Sequence, residues 1–277
     1  MAGSNPVFDR LNRQLDRERY AGFGDQRAAA PSAVTVDELN DLYARRPAGP
    51  VDTGRVTVDD VIIKSLTLFA VLIAAGLGAW VAVDLTPSLI TPLWLGGAVL
   101  GLVLGLVIAF MRNVPTPLIF AYAAVEGGFI GAFSYYINSV PRYSGVVLMA
   151  VLATLSTFAA MYAAYATGLV KVTSRSRRIF IFMLGGYAIF ALLQFVLVAT
   201  GVLGGWGFGG SGPLGIGLSL LGTGLAAYSL AFDFDSIEQA VRAGAPRKYA
   251  WLLAHGLIVS VVWLYIEFVR LFARLRD

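Results

Sequence analysis

Residues 61–110 read VIIKSLTLFAVLIAAGLGAWVAVDLTPSLITPLWLGGAVLGLVLGLVIAF. Two apolar runs, 61–83 and 89–110, lie on either side of Pro87. Each is long enough to cross a hydrocarbon core as a helix, which takes about 20 residues. The runs are continuous rather than alternating, so helices fit and a barrel does not. The same pattern recurs at 118–138, 145–170, 179–200, 213–232 and 250–272. Chain breakers separate the runs: Pro115 and Pro117, Pro141, the Thr173–Arg178 cluster, the glycines from Gly204 to Gly212, and Gly244 to Pro246. The sequence therefore predicts an all-α integral membrane protein, a bundle of seven transmembrane helices.

Composition agrees. The 277 residues are 57% hydrophobic and 14% charged, with a mean hydropathy of +0.73. Soluble domains are roughly 45–50% apolar and about 25% charged, so a soluble enzyme is not expected. Charge is concentrated at the start: residues 1–60 hold 18 of the 38 charged side chains. A flexible polar tail, 1–56, is expected before a membrane domain, 57–277. Within the tail, Pro6 to Tyr20 has Phe8, Leu11 and Leu15 at helical spacing. Thr57-Val58-Asp59-Asp60 is a capping signal for the first span. The first apolar run begins too far into the chain for a signal peptide.

The chain has no cysteine and one histidine, His255. Disulfides, thiolate metal sites and multi-histidine metal sites are thereby excluded. The net charge of +4 does not point to nucleic acid, because the basic residues sit at the ends of apolar runs. With the tail inside, the inner loops hold Arg112, Lys171, Arg175, Arg177, Arg178, Arg242, Arg247 and Lys248, against Arg142 alone in the outer loops. The positive-inside rule then makes the tail cytoplasmic. Arg270, Arg274 and Arg276 resist this scheme, since seven crossings leave them outside. Either the last segment does not cross simply, or the earlier loops decide.

Small residues recur at helical spacing: Gly97, Gly101 and Gly105, then Gly127 and Gly131. Such stripes let helices approach closely, within the bundle or in a homo-oligomer. Ionisable groups inside spans are functional candidates by default. Glu126 lies eight residues into the third run, about 12 Å deep. Asp233 and Asp235 close the sixth run, with Glu238 one turn on. Neighbouring carboxyls that share a proton make a pH switch. Glu267 lies in the last run, with Arg270 on the same helical face. Lys64, near the start of the first run, can snorkel to the interface.

Two motifs fail their context. Gly207 to Gly212 matches G-x-G-x-x-G, but no strand precedes it. Ser211 in that loop and His255 would suggest a serine hydrolase, yet topology puts most of a roughly 30 Å core between them. No enzyme activity and no organic cofactor are expected.

The segments TVDDVIIKS (57–65), YAAVEGGFIGAFS (122–134) and above all DFDSIEQAVRAGAPRKYAWLLAHGLIVSVVWLYIEFVRLF (233–272) resemble the Bax inhibitor-1/YccA family, bacterial branch. The resemblance covers about residues 57–276. It implies a central last helix surrounded by the other six, and a calcium leak controlled by a pH-sensing pair of aspartates. Asp233 or Asp235 matches the first of these, at the end of the sixth helix. Glu267, in Trp263-Leu264-Tyr265-Ile266-Glu267, is the local match to the second, with glutamate replacing aspartate. Asp235 to Glu267 is longer than the family's usual interval. If the last helix starts near residue 250, Glu267 is about 25 Å along it, and His255 is nearer in register. Glu126 resembles a glutamate of the third span in bacterial members.

The expected function is a pH-sensitive calcium or other cation leak in the bacterial inner membrane. Glu126, Asp233, Asp235 and Glu267 would be its ion-binding or pH-sensing groups, Arg270 and His255 would be secondary, and Asp233 with Asp235 would be calcium ligands. The alternative is a non-conducting regulator that binds an FtsH-type membrane protease through the tail.

Overall fold

The computed structural model describes residues 54–111 and 113–277. The polar tail, including Pro6 to Tyr20, lies outside the described residues except at its end. Seven helices long and apolar enough to cross a membrane fill the rest. Their α-helical parts are α1 (Val58–Leu85), α2 (Gly97–Phe110), α3 (Thr116–Ser139), α4 (Val146–Ala166), α5 (Ser174–Ala199), α6 (Pro213–Arg242) and α7 (Tyr249–Arg276), the second span reaching its length from Pro87 and the fourth from Pro141.

Local chemistry sets the helix starts. Thr57 and Asp60 close the capping box of α1, the Thr57 hydroxyl accepting from the Asp60 N–H at 3.1 Å and the Asp60 carboxylate from the Thr57 N–H at 3.3 Å. Thr173 and Ser176 form the same box on α5. Before α2 the backbone makes a 3₁₀ turn at Pro87–Leu89 and a five-residue π turn at Pro92–Gly96. Each begins with a proline, which has no N–H to give to a preceding turn. Gly145, at φ +80°, supplies the left-handed residue that starts α4.

α6 corrects the expected boundary. The helix does not close at 232 but continues to Arg242. Asp233 and Asp235 therefore sit inside it, about two turns before its end. Its polar last turns are held by i,i+4 pairs: Gln239 donates to Asp235 at 2.6 Å, and Arg242 pairs with Glu238. Ile237 and Val241 also pack on Val56, Val61 and Ala250.

α7 is the central helix. Three apolar clusters meet on it. One joins Leu68 and Leu72 of α1, Ile119 and Tyr122 of α3 and Ile258 of α7. The second joins Ile137, Val146 and Val269. The third joins Leu230, Phe234 and Leu264. α5 is the peripheral extreme. Its one buried residue is Phe180, stacked on Phe232 at 4.5 Å.

α1 and α3 make the tightest crossing. A Cβ on Gly131 would overlap the backbone of Gly76, and one on Gly127 would overlap the carbonyl of Leu72. The second stripe packs on α3 as well: Gly97 lies against Phe129, Gly101 against Glu126 and Gly105 against Tyr122. Both stripes thus serve contacts within this chain.

The two ends of the bundle differ. At one, Arg247 pairs with Asp60 at 2.7 Å and the Val56 N–H donates to the Ala245 carbonyl at 2.8 Å. At the other, Arg142 pairs with Asp277 at 2.6 Å. α7 runs from the Thr57 end to the Arg142 end, so the last segment spans the bundle from one end to the other. Its arginines are occupied by acceptors there. Arg274 is buried and donates to the carbonyls of Gly215 and Trp206 and to Ser219 Oγ, and Arg276 donates to the Ser144 carbonyl. These two bond backbone carbonyls at that end, and Arg270 pairs with Glu267.

The Arg142–Asp277 link gives a pH prediction. The Arg142 guanidinium holds the Asp277 carboxyl below its ordinary 3.8, a smaller burial effect opposing it. A carboxyl lowered in the fold adds stability above its unfolded value and loses it as pH falls through the folded one. The expected result is a small extra loss of Tm below about pH 4 in the natural chain, absent in Arg142→Gln. Equal acid profiles in thermal melts would show that the pair adds nothing.

Candidate functional site

A cavity of about 1030 Å³ lies between α2, α3, α5, α6 and α7. Its chemistry comes from three helices: Glu126 on α3, Asp233 on α6 and His255 on α7 all line it. Counting along the helices from the Thr57 end, at 1.5 Å per residue, they lie about 15, 14 and 9 Å deep. The cavity continues to Gly205 and Trp206 at the Arg142 end. Towards the Thr57 end stands the cluster of Val56, Val61 and Ala250, with the Asp60–Arg247 pair beside it.

Each acid is positioned by a small residue opposite. Gly101 makes room for Glu126, since any Cβ there would overlap Glu126 Oε2. Gly256 stands opposite Asp233, where a Cβ would come to 3.5 Å from Oδ1. Ser229 and Ser260 are the neighbouring polar groups of the cavity wall. Asp233 Oδ2 is buried without a hydrogen-bond partner. Neither Glu126 nor Asp233 has an ion-pair partner among the described residues. His255 meets the Tyr122 ring edge-on, with centroids 4.5 Å apart.

The structure separates the other candidates from this group. Asp235 turns away from Asp233: it pairs with Arg177 of α5 at 2.6 Å and accepts from Gln239. The expected pairing of Asp233 with Asp235 is therefore absent, because one lines the cavity and its neighbour bonds to α5. Glu267 is 1% exposed and lies beside Gly222, eleven residues and about 16 Å up α6 from Asp233. It accepts from Tyr187 at 2.7 Å, Trp263 at 3.2 Å and Arg270 at 3.4 Å. It does not meet Asp233, for the reason its register suggested. Glu238 accepts from Tyr165 at 2.5 Å and pairs with Arg242. Lys64 reaches the Arg247 carbonyl at 3.3 Å and lies over Trp251. Ser211 precedes α6 at the Arg142 end, about 33 Å along α7 from the level of His255.

Among the described residues, no three His, Cys, Asp or Glu side chains converge as a metal site. The calcium pair expected at Asp233 and Asp235 is not assembled. The arrangement that remains is two carboxyls and an imidazole in a largely apolar cavity, able to exchange protons and to attract a passing cation.

A family model described as Bax inhibitor 1 like matches residues 5–277. The chain belongs to this family. No curated protein matches it. The match takes in most of the polar tail as well as all seven spans. Within this Bax inhibitor 1-like fold, the α7 groups beside Asp233 are Gly256 and Ser260 rather than an acid. Tyr187, Gly76 and Ser260 carry no signal in the sequence. Each is an ordinary residue of its helix until its partner, tens of residues away, is known.

Proposed function

We propose that the chain is a pH-sensitive cation leak pathway, with calcium as the carried ion. The observation that supports it is the cavity itself: two carboxyls without cationic partners, at mid-depth, joined by open volume to the Arg142 end. A cation entering from that end would meet Glu126 and Asp233. The apolar cluster of Val56, Val61 and Ala250 is the remaining barrier and the gate of this scheme. The titratable groups that share the cavity are Tyr122, Glu126, Asp233 and His255, with Arg270 towards the Arg142 end. Asp235 and Glu267 act at one remove, by holding α5 against α6 and α7 through Arg177 and Tyr187. The positive-inside rule, applied to the cations between the apolar runs of the sequence, supports a cytoplasmic Thr57 end.

Only ionised carboxyls attract the ion, so flux should fall on acidification as the two carboxyls are protonated. Asp233→Asn in proteoliposomes loaded with a calcium dye is expected to cut uptake several-fold, whereas Asp235→Asn leaves most of it. Equal uptake by Asp233→Asn and the natural chain would overturn the assignment.

A further inference from the structure

The cavity is larger, more aromatic and more accessible from the side than a metal-ion path requires. At about 1030 Å³ it is the size of a pocket for a drug-sized molecule. Its walls carry aromatic faces on two sides. Phe129, Phe133 and Trp94 stack in series, with Phe133 centroids at 6.1 and 6.2 Å from its neighbours. Phe180 stacks on Phe232, next in sequence to Asp233. Between α2 and α5 the central helix is uncovered: Leu252 and Val259 line the cavity, yet are 37% and 38% exposed. A molecule dissolved in the bilayer can therefore enter sideways, without crossing either end.

We propose that this cavity binds hydrophobic organic monocations, such as lipophilic amines and phosphonium ions, taken from the lipid phase between α2 and α5. Charge complementarity selects them. Glu126 and Asp233 lack a cationic partner among the described residues, and Asp233 Oδ2 lacks any hydrogen-bond partner. A metal ion in passage meets two carboxyls but no converging ligand set that would hold it there. A delocalised organic cation carries little hydration to lose and is also attracted to aromatic faces. An acyl chain would fit the apolar walls but leave both carboxyls unanswered. The inference rests on the proposed function only in placing the same two carboxyls in the site; it does not require conduction.

The test uses tetraphenylphosphonium, with tetraphenylborate as an anion of like size and shape, on the detergent-purified full chain by equilibrium dialysis against protein-free micelles. The expected result is saturable phosphonium binding, weakened about 10-fold or more in Glu126→Gln/Asp233→Asn, and no saturable borate binding. Ala98→Trp narrows the cavity at its wall and keeps both acids in the chain, and is expected to weaken binding. Thermal melts identify any variant that fails to fold. Phosphonium binding unchanged in both variants, or equal saturable binding of borate, would overturn the proposal. Calcium uptake by the same preparations separates the two readings. Carboxyl-dependent uptake without phosphonium binding defeats the organic-cation site alone. Phosphonium binding without uptake defeats the leak alone.

Discussion

Gly131→Leu is expected to unseat α1 from α3 and to abolish a stable fold. Gly131 is buried where α3 meets the backbone of Gly76. A first side-chain carbon there would already occupy the space of the Gly76 carbonyl, and leucine adds three more. Backbone cannot rotate aside as a flexible side chain can, so the helices must separate along the seam. Overpacking of a tight core costs about 1–3 kcal/mol, and here the obstruction is backbone, so about 3 kcal/mol or more is expected. Trp80 packs edge-on against Tyr135 across the same crossing, which makes tryptophan fluorescence a direct reporter. Gly128→Ala, with open space around its Cβ position, is the control and should change stability by no more than about 1 kcal/mol. A Gly131→Leu protein that melts like the natural chain would show that the seam is looser than its geometry.

Glu267→Ala is expected to release α5. The carboxylate gathers three donors: the Tyr187 hydroxyl of α5, and Trp263 and Arg270 of α7. Removing it leaves those donors without their acceptor in a region that excludes water. Breaking a fully buried ion pair costs about 3–5 kcal/mol. The Arg270 side chain is 35% exposed and can turn outward, so about 2–3 kcal/mol is expected. Glu267→Gln keeps an acceptor for Tyr187 and should lose less. The chain has no cysteine, so Leu184→Cys on the cavity side of α5 gives a single labelling site. It should react faster with a soluble maleimide in the Glu267→Ala background. Unchanged reactivity and an unchanged Tm would remove Glu267 from the anchoring of α5.

The seven spans were legible because continuous apolar runs and proline or glycine breakers are local signals. The Thr57–Asp60 capping box was legible for the same reason. Hydropathy misplaced the end of α6, because it falls at Asp233 while the helix does not. The pairs Asp235–Gln239 and Glu238–Arg242 carry the helix on to Gly244, whose φ of +63° marks the true stop. That glycine was visible in the sequence and was the better guide. Glu126 and Asp233 stood out as charges inside apolar runs. Where the carboxyls point was not legible. Asp233 and Asp235 are two residues apart, which on a helix turns them about 200° from each other. One therefore meets the cavity and the other meets α5. The partner of Glu267 comes from Tyr187, 80 residues earlier, and no spacing rule connects them. Arg274 and Arg276 looked like an exception to topology because their acceptors, the carbonyls of Gly215, Trp206 and Ser144, are backbone atoms far away in sequence.

Calcium uptake into dye-loaded proteoliposomes, followed between about pH 6 and about pH 8, is the most direct measurement. The natural chain is compared with Glu126→Gln/Asp233→Asn, each shown to be folded by its melt. Uptake that rises with pH in the natural chain, and is low and flat in the double variant, is expected of a pathway lined by these two carboxyls. Uptake no greater than that of empty liposomes, or a pH-dependent uptake that the double substitution leaves intact, would contradict it.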